Sequence, residues 1–317
     1  MKIGIVDADL LYRSRHRFPN RARMKLSGFY KEQGEAVEHH KPDYGLYQPF
    51  AEAQQRRRKS TYKFYTEYSI GFLSRGCFRR CGFCINKNSF KSEPASPLEE
   101  FLDKDRKKLC FLDDNFLACD KWEELLDAVL ETEKAFQFRQ GLDLRIMKKE
   151  QMKKLFGGKQ DGKMIFAFDD IRDRKGITGK LELLFDTVGP VAKALKFYVL
   201  CGFDRQGKWD HTFWEKDISD TLERIRILMD YGCLAYVMRY MRWERAPAPY
   251  RGMYISISRW CNQPVQYTQK SLREFCQGQG TGSSSFCYLH EFEQIHPKLT
   301  GYLDMKYEGE GHGKIHG

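Results

Sequence analysis

Apolar runs alternate with amphipathic segments from about residue 66 to residue 240. Helical spacing of apolar positions appears in segments such as KWEELLDAVLETEK and ISDTLERIRILMDYG. Ser96 and Glu99, with Pro97 between them, form a capping-box pattern that predicts a further helix start. Strands that alternate with helices pair in parallel, so we predict an α/β fold whose chemistry lies at the carboxyl ends of the strands. Six runs have the length and composition of strands: TEYSIGFL, KLCFLDDNF, AFQFRQGLDLR, KMIFAFDD, LKFYVLCGF and LAYVMRY.

The two ends of the chain differ from this central region. Lys2 to Val6 is typical of a short buried strand, a helix is predicted from Pro19 to Gly34, and a weak strand near Tyr44 to Tyr47. After about Trp243 the sequence becomes rich in Pro, Gly, Ser, Cys and aromatic residues. We therefore predict a small basic α/β N-terminal domain (1–64), a central domain (65–245) and a C-terminal extension (246–317) packed on it.

The composition indicates a folded protein that does not cross a membrane. With 317 residues, of which 41% are hydrophobic and 14% aromatic, the chain can bury a sizeable core, which excludes disorder. No run approaches the roughly 18 to 20 apolar residues of a membrane span. The start, MKIGIVDADLL, lacks the features of a secretory signal. We expect a cytoplasmic protein without a membrane partner.

The net charge of +11 is concentrated toward the N-terminus. Residues 1–64 contain 14 Lys and Arg against 7 Asp and Glu. Basic and aromatic residues also interleave in RYMRWER, at Arg239 to Arg245. Such regions are candidate surfaces for RNA or DNA, and they are equally well explained as solubility charge and as arginine packed over tryptophan.

Three of the ten cysteines are closely spaced. Cys77, Cys81 and Cys84 lie in a C-x3-C-x2-C pattern, and the next cysteine is Cys110. Three thiolates on one loop can bind three irons of a [4Fe-4S] cluster and leave the fourth iron open to another ligand. A ferredoxin or a structural zinc site would have a fourth protein ligand nearby. The spacing therefore favours a cluster with one open iron.

The cysteine segment resembles the signature of the radical S-adenosylmethionine superfamily. Phe83 occupies the aromatic position before the third cysteine, and the resemblance covers about Thr66 to Tyr240. It implies a partial (β/α)6 TIM-like barrel in which S-adenosylmethionine chelates the open iron. It also implies an electron donor such as flavodoxin or ferredoxin. Reductive cleavage in this superfamily gives methionine and a 5′-deoxyadenosyl radical that abstracts a substrate hydrogen.

The N-terminal βα unit is similar to a reduced cobalamin-binding-type domain, which precedes some barrels of this superfamily. No D-x-H-x-x-G stretch is present, so the histidine ligand of cobalt is missing and we expect no cobalamin. No cysteine precedes Cys77, which argues against a similarity to the methylthiotransferases.

Polar residues follow the second predicted strand. The resemblance implies that an acidic or backbone acceptor here holds an amino group, which suggests Asp113 or Asp114, beside Asn115. The alternative is that these residues cap a helix that begins near Asp120.

The third predicted strand is followed by Gln140, Asp143 and Arg145. An arginine here is suited to the methionine carboxylate, and Asp143 to the ribose hydroxyls. An ordinary salt bridge between Asp143 and Arg145 is the alternative. After the fifth strand the resemblance implies a small residue where adenine packs, which Gly202 provides.

Seven cysteines lie outside the cysteine segment. Cys261, Cys276 and Cys287 suggest an auxiliary iron–sulfur cluster as one hypothesis, against which their long and irregular spacing favours unligated thiols. We expect the others to be small core residues: Cys110, Cys119, Cys201 and Cys233.

Two functional hypotheses follow from these observations. The first is a radical S-adenosylmethionine enzyme that acts on an unidentified substrate, with a nucleic acid or a peptide favoured. The second is a non-enzymatic nucleic-acid-binding protein stabilised by zinc or a cluster. The sequence identifies neither the substrate nor a catalytic residue beyond the cofactor-binding set.

Overall fold

The computed structural model describes residues 67–86 and 89–308, together with the backbone of two short strands, Lys2–Gly4 (β1) and Ala36–Glu38 (β2). β1 and β2 pair in parallel. The predicted strand at Lys2 to Val6 is found at its described residues, Lys2–Gly4. The predicted helix from Pro19 to Gly34 and the strand near Tyr44 to Tyr47 lie outside the described residues.

The chain divides into two compact units. One comprises Met1–Ile70 and Asp103–Lys108, and the other Gly71–Leu102 and Leu109–Gly317. The cysteine segment and all the candidate cofactor-binding residues belong to the second unit, and so does the C-terminal extension.

All six predicted strands of the central region are present, and one short antiparallel pair of strands was not predicted. β8, β9 and β10 pair in parallel in the order β10–β9–β8, and a second three-stranded sheet has the order β3–β6–β7. The strands are β3 (Tyr68–Gly71), β4 (Ser74–Arg75), β5 (Glu93–Pro94), β6 (Lys108–Phe111), β7 (Ala135–Phe138), β8 (Met164–Ala167), β9 (Leu195–Cys201) and β10 (Leu234–Arg239).

The carboxyl ends of the strands meet at a common edge. The backbone N–H of Leu112 donates to the carbonyl of Gly71 at 3.0 Å, and that of Arg139 donates to the carbonyl of Phe111 at 2.9 Å. Each of these residues stands at or just after the end of its strand. An isolated parallel bridge between Leu142 and Phe166 links the region after β7 to β8.

The α/β class is thereby confirmed, and the partial (β/α)6 barrel that the resemblance implies is not. Within the described residues the strands form separate three-stranded sheets and no closed barrel. β9 illustrates why the strands form, because Phe197 and Val199 are fully buried while Lys196 and Tyr198, which alternate with them along the strand, are half-buried. One face of the strand packs under helices, and the other carries polar groups.

Helices follow the strands and cover them. The longest, α4, begins where Asp210 accepts a hydrogen bond from the N–H of Phe213 at 2.9 Å, and α3 ends at Gly189, whose φ of 85° suits glycine. The described part contains nine α-helices: α1 (Trp122–Glu131), α2 (Lys149–Gly157), α3 (Arg174–Val188), α4 (His211–Asp230), α5 (Tyr250–Cys261), α6 (Pro264–Gln269), α7 (Leu272–Gln277), α8 (Ser284–Ile295) and α9 (Thr300–Leu303).

The described part of the C-terminal extension contains helices α5 to α9, which the sequence pattern did not predict. Trp260 of α5 is fully buried and donates from its indole N–H to the carbonyl of Lys270 at 2.9 Å. Ser271 and Glu274 form a capping box at the start of α7. No helix in the described residues has the length and apolarity needed to traverse a bilayer.

The capping-box pattern at Ser96 predicts a helix that the structure does not contain, so this prediction is wrong. The chain makes only a three-residue 3-10 turn at Leu98–Glu100, with no side-chain cap. After Phe101 and Leu102 the sequence continues as DKDRKK, so no second turn can place an apolar residue on the core. The local cap pattern is not sufficient without a continuing apolar stripe.

Candidate functional site

The cysteine loop follows β4 at the common edge of the strand ends. Cys77, Cys81 and Cys84 are all half-buried, and the N–H of Cys84 donates to the carbonyl of Cys81 at 3.0 Å, which closes a tight turn. Arg80 has a φ of 50°, in the left-handed region that few non-glycine residues adopt. The backbone therefore reverses sharply between the first and second cysteines.

Two of the three sulfurs accept hydrogen bonds from N–H groups. The backbone N–H of Arg79 and the Nδ2 of Asn115 both donate to the Sγ of Cys77 at 3.4 Å. The backbone N–H of Asn86 donates to the Sγ of Cys84 at 3.4 Å. Such donors stabilise the negative charge of a thiolate, and in iron–sulfur proteins they also tune the cluster.

The thiol of Cys81 is influenced by both other cysteines. Burial raises its pKa, the negative charges of Asp169, Cys77 and Cys84 raise it further, and the guanidinium of Arg145 opposes them. A thiol in this setting stays protonated near neutral pH unless a metal replaces the proton. The loop thus keeps three mutually interacting thiols beside one cation.

The cysteine loop does not form a ready-made site for a single metal ion in the described structure. In the stretches 67–86 and 89–308, no three His, Cys, Asp or Glu side chains are placed to hold a single metal ion. Ligands of one tetrahedral zinc share that ion and must approach each other closely. The cysteines of a cubane each bind a different iron and stand further apart. The described residues therefore contain no ready-made site for a single metal ion, and the cluster stays a prediction.

Asp113 anchors the entry to the cysteine loop. Its carboxylate accepts from the N–H of Leu73 at 3.2 Å and from the N–H and hydroxyl of Ser74 at 2.5 and 2.8 Å. Asp114 accepts from the N–H of Gly76 at 2.9 Å. The two carboxylates therefore fix the backbone that leads to Cys77. Neither carboxylate caps α1, which begins at Trp122 after Lys121.

Burial raises the pKa of Asp113 from 3.8 to about 7, although its hydrogen bonds lower it. Between these two values the folded chain keeps a proton that the unfolded chain has lost, so stability falls as pH rises from about 4 to about 7. The free energy of unfolding of the wild type, relative to Asp113→Asn, should decrease by about 1 kcal/mol per pH unit across this range. Urea unfolding at several pH values measures it, and a pH-independent difference would contradict the raised pKa.

Asn115 has an unsatisfied polar atom. The residue is 3% exposed, its Nδ2 bonds to Cys77, and its Oδ1 is buried without a hydrogen-bond partner in the described structure. A buried acceptor without a donor is costly, and such groups often await a ligand. This carbonyl oxygen is therefore an available acceptor beside the first cysteine.

Asp143 joins the cysteine loop to the region after β7. Its carboxylate accepts from the Nε of Arg79 at 2.6 Å and from the Nε of Arg145 at 2.7 Å, and it is 7% exposed. Arg145 also pairs with Asp173. The salt bridge proposed as the alternative role of Asp143 is thus present, with Arg79 as a second partner that the sequence did not indicate.

The remaining predicted positions surround the loop. Phe83 packs edge-on against Phe203 at 5.6 Å, and the N–H of Gly202 donates to Asp217 at 2.7 Å. Gly202 has a φ of 77°, and a Cβ there would stand 3.2 Å from the Cβ of Trp243, so a larger residue is disfavoured. Gln140 is half-buried just after the end of β7.

A pocket of about 370 Å³ opens beside the second cysteine. Cys81 and Gly82 form part of its wall, with Asp170 and Asp173. It is rich in arginine, and this feature was missed from the sequence except for Arg145. The five arginines that line it are Arg79, Arg80, Arg145, Arg172 and Arg205.

The three C-terminal cysteines lie on three different helices. Cys261 lies in α5, Cys276 in α7 and Cys287 in α8. The first two are buried, and burial raises the pKa of Cys276 to about 11, while Cys287 is exposed. They are not among any group of three metal-binding side chains in the described residues.

Comparison with known proteins does not assign a function to this site. No protein-family model matches the chain, and no curated protein matches it.

Proposed function

We propose that this protein is a radical S-adenosylmethionine enzyme. The observation that carries the proposal is the C-x3-C-x2-C loop at the carboxyl edge of the strands, with N–H donors to two of its sulfurs. A loop of this kind suits a [4Fe-4S] cluster with one open iron.

The residues present fit the proposed cofactors. Cys77, Cys81 and Cys84 would hold the cluster, and the unpartnered buried Oδ1 of Asn115 is suited to accept from the amino group of S-adenosylmethionine. Arg145 is suited to the methionine carboxylate. When bound, the cluster and S-adenosylmethionine supply one-electron reductive cleavage and hydrogen abstraction.

The side chains of the chain itself position this chemistry. Asp113 and Asp114 hold the backbone before Cys77, and Asp143 holds Arg79 of the loop against the strand edge. Phe83 packs edge-on against Phe203 and so anchors the end of the loop. An external electron donor such as flavodoxin or ferredoxin belongs to the proposal.

The fold proposed for the enzyme is a partial (β/α)6 barrel. The six long strands follow one another in both chain order and sheet order, β3–β6–β7 and β8–β9–β10. Two isolated parallel bridges link the first sheet to the second at the break between β7 and β8. They join Phe136 to Gln160 and Leu142 to Phe166. An open barrel with one break in its hydrogen bonding is in keeping with this arrangement.

Anaerobic reconstitution tests the proposal. Purified full-length chain supplied with iron and sulfide should incorporate about four irons and four sulfides, as the [4Fe-4S] formula requires. Dithionite and S-adenosylmethionine should then release 5′-deoxyadenosine and methionine in equal amounts. A colourless, air-stable protein with one bound zinc would instead support the non-enzymatic alternative.

A further inference from the structure

The pocket beside Cys81 carries more positive charge than S-adenosylmethionine requires. Five arginines and two aspartates line it, and Asp143 pairs with two of these arginines, Arg79 and Arg145, so two positive charges are left over. S-adenosylmethionine has a sulfonium, an ammonium and one carboxylate, so it is a cation overall and needs at most one guanidinium. The excess of arginine therefore points to a second ligand that is an anion.

Two of these arginines share one carboxylate. Arg172 and Arg205 both bond to the Oδ2 of Asp170, at 2.7 and 2.6 Å, and their side chains are 66% and 64% exposed. The Arg172 hydrogen bonds lower the pKa of Asp170 to about 2, so it is ionised at all working pH values. One negative charge thus holds two exposed cations in position and leaves one positive charge to spare.

A third arginine, Arg80, adds a positive charge to the pocket. Arg80 lies over the ring of Phe90 at 3.9 Å, and no carboxylate in the described part of the chain pairs with it. A guanidinium stacked on an aromatic ring keeps its N–H groups free for an anion. Arg80, Arg172 and Arg205 together form what we call the anion side of the pocket.

Aromatic side chains continue from the pocket along the strand ends. A Cβ at Gly82, in the pocket wall, would lie 2.9 Å from the ring of Phe203, which packs against Tyr240 at 4.9 Å. Beyond them Arg242 stacks on Trp209 at 4.6 Å, close to the loop that carries Arg205. Half-buried rings backed by arginine are suited to stack nucleobases.

We propose that the anion side of the pocket binds the phosphodiester backbone of a single-stranded nucleic acid substrate, whose bases stack on Phe203, Tyr240 and Trp209. This inference rests on the proposed function, because the pocket is a substrate site only if Cys81 belongs to a catalytic cluster. An acidic peptide would account for the arginines of the pocket but not for the aromatic rings beside them. Guanidinium groups bind phosphate in bidentate geometry, and stacking is independent of base sequence.

Binding of a fluorescein-labelled 12-nucleotide RNA of mixed sequence to the full-length chain tests this inference. The variant Arg172→Gln/Arg205→Gln should weaken binding about tenfold and reduce the slope of log affinity against log salt by about 1.4, since each phosphate contact on a single strand contributes about 0.7. Asp170→Asn should tighten binding about two- to fivefold, because it frees both guanidinium groups from their partner. Opposite effects of the two variants cannot arise from simple loss of folding.

The control is Lys153→Gln/Lys298→Gln, which removes the same charge at exposed positions away from the pocket. This variant should bind the RNA within about twofold of the wild type. Equal weakening by both double variants, absence of wild-type binding, or equal affinity for polyglutamate of the same charge would overturn the proposal. Displacement of the RNA by an equal nucleotide concentration of free mononucleotide would also overturn it. A DNA strand that follows the same variant pattern would support it.

Cluster content and 5′-deoxyadenosine release, measured on the same preparation, report on the proposed function separately. If the cluster is intact but the variants do not change RNA affinity as expected, only the proposed substrate class is overturned. Absence of a cluster would overturn the proposed function and, with it, the assignment of the bound strand as substrate.

Discussion

Replacement of Cys81 by alanine is expected to abolish cluster assembly and to reduce 5′-deoxyadenosine release more than about 100-fold. Loss of an outer-shell partner alone typically costs 10- to 100-fold in a metal site, and a direct ligand matters more. Cys81 is the middle cysteine of the proposed ligand set, and its thiol interacts with both Cys77 and Cys84. Iron and sulfide analysis, the visible absorbance of the cluster and quantitation of 5′-deoxyadenosine measure the effect.

The matched control is Cys287→Ala, because Cys287 is an exposed, free cysteine in α8. It should retain both the cluster and the turnover. The Cys81 side chain is half-buried in a loop, so its truncation should change the free energy of unfolding by less than about 1 kcal/mol. Turnover that persisted in Cys81→Ala would show that the ligand assignment is wrong.

Strands such as β6 and β8 could be predicted because each one buries a run of apolar residues. In β6, Leu109, Cys110 and Phe111 are all fully buried, and a continuous run of this kind is typical of a strand covered on both faces. The expectation that Cys110, Cys119, Cys201 and Cys233 are core residues is confirmed for the same reason, since all four are at most 1% exposed.

The helices of the C-terminal extension could not be predicted, because their start signals are mixed with loop-like residues. α5 contains Gly252, Ser256 and Ser258, which are poor helix formers or cap residues, yet all three are buried by neighbouring helices. A Cβ at Gly252 would stand 2.2 Å from the ring of Tyr288 in α8. Tertiary packing, which a single sequence does not reveal, decides these positions.

The roles of the site residues depend on contacts that are distant in sequence. Asp113 was assigned to an amino group, and its carboxylate instead accepts from Leu73 and Ser74, 40 and 39 positions away. Asp170 brings Arg172 and Arg205 together although 33 residues separate them. Residue type and spacing located these groups at strand ends but could not identify their partners.

Replacement of Asp143 by alanine is expected to destabilise the protein by about 3 kcal/mol. The substitution leaves the guanidinium groups of Arg79 and Arg145 without the carboxylate that accepts from both at 2.6 and 2.7 Å. Removal of one partner of a buried pair costs about 3 to 5 kcal/mol, and we take the lower end because these arginines are 27% and 22% exposed. Urea unfolding measures the difference. Asp127→Ala, which removes a half-exposed partner of Lys154, is the control and should cost no more than about 1 kcal/mol.

A double-mutant cycle distinguishes the tie between Asp143 and Arg79 that the structure shows from the predicted role of Asp143 toward the ribose of S-adenosylmethionine. If its carboxylate ties the cysteine loop to the strand edge, Asp143→Ala and Arg79→Ala should show a coupling energy of about 1 to 2 kcal/mol, and each variant should assemble less cluster. If Asp143 served only to accept from the ribose of S-adenosylmethionine, the two substitutions would be additive in stability, and only the affinity for S-adenosylmethionine would fall. The short bonds to two arginines favour the first result, because a carboxylate with both oxygens engaged by guanidinium groups has less capacity left for a hydroxyl.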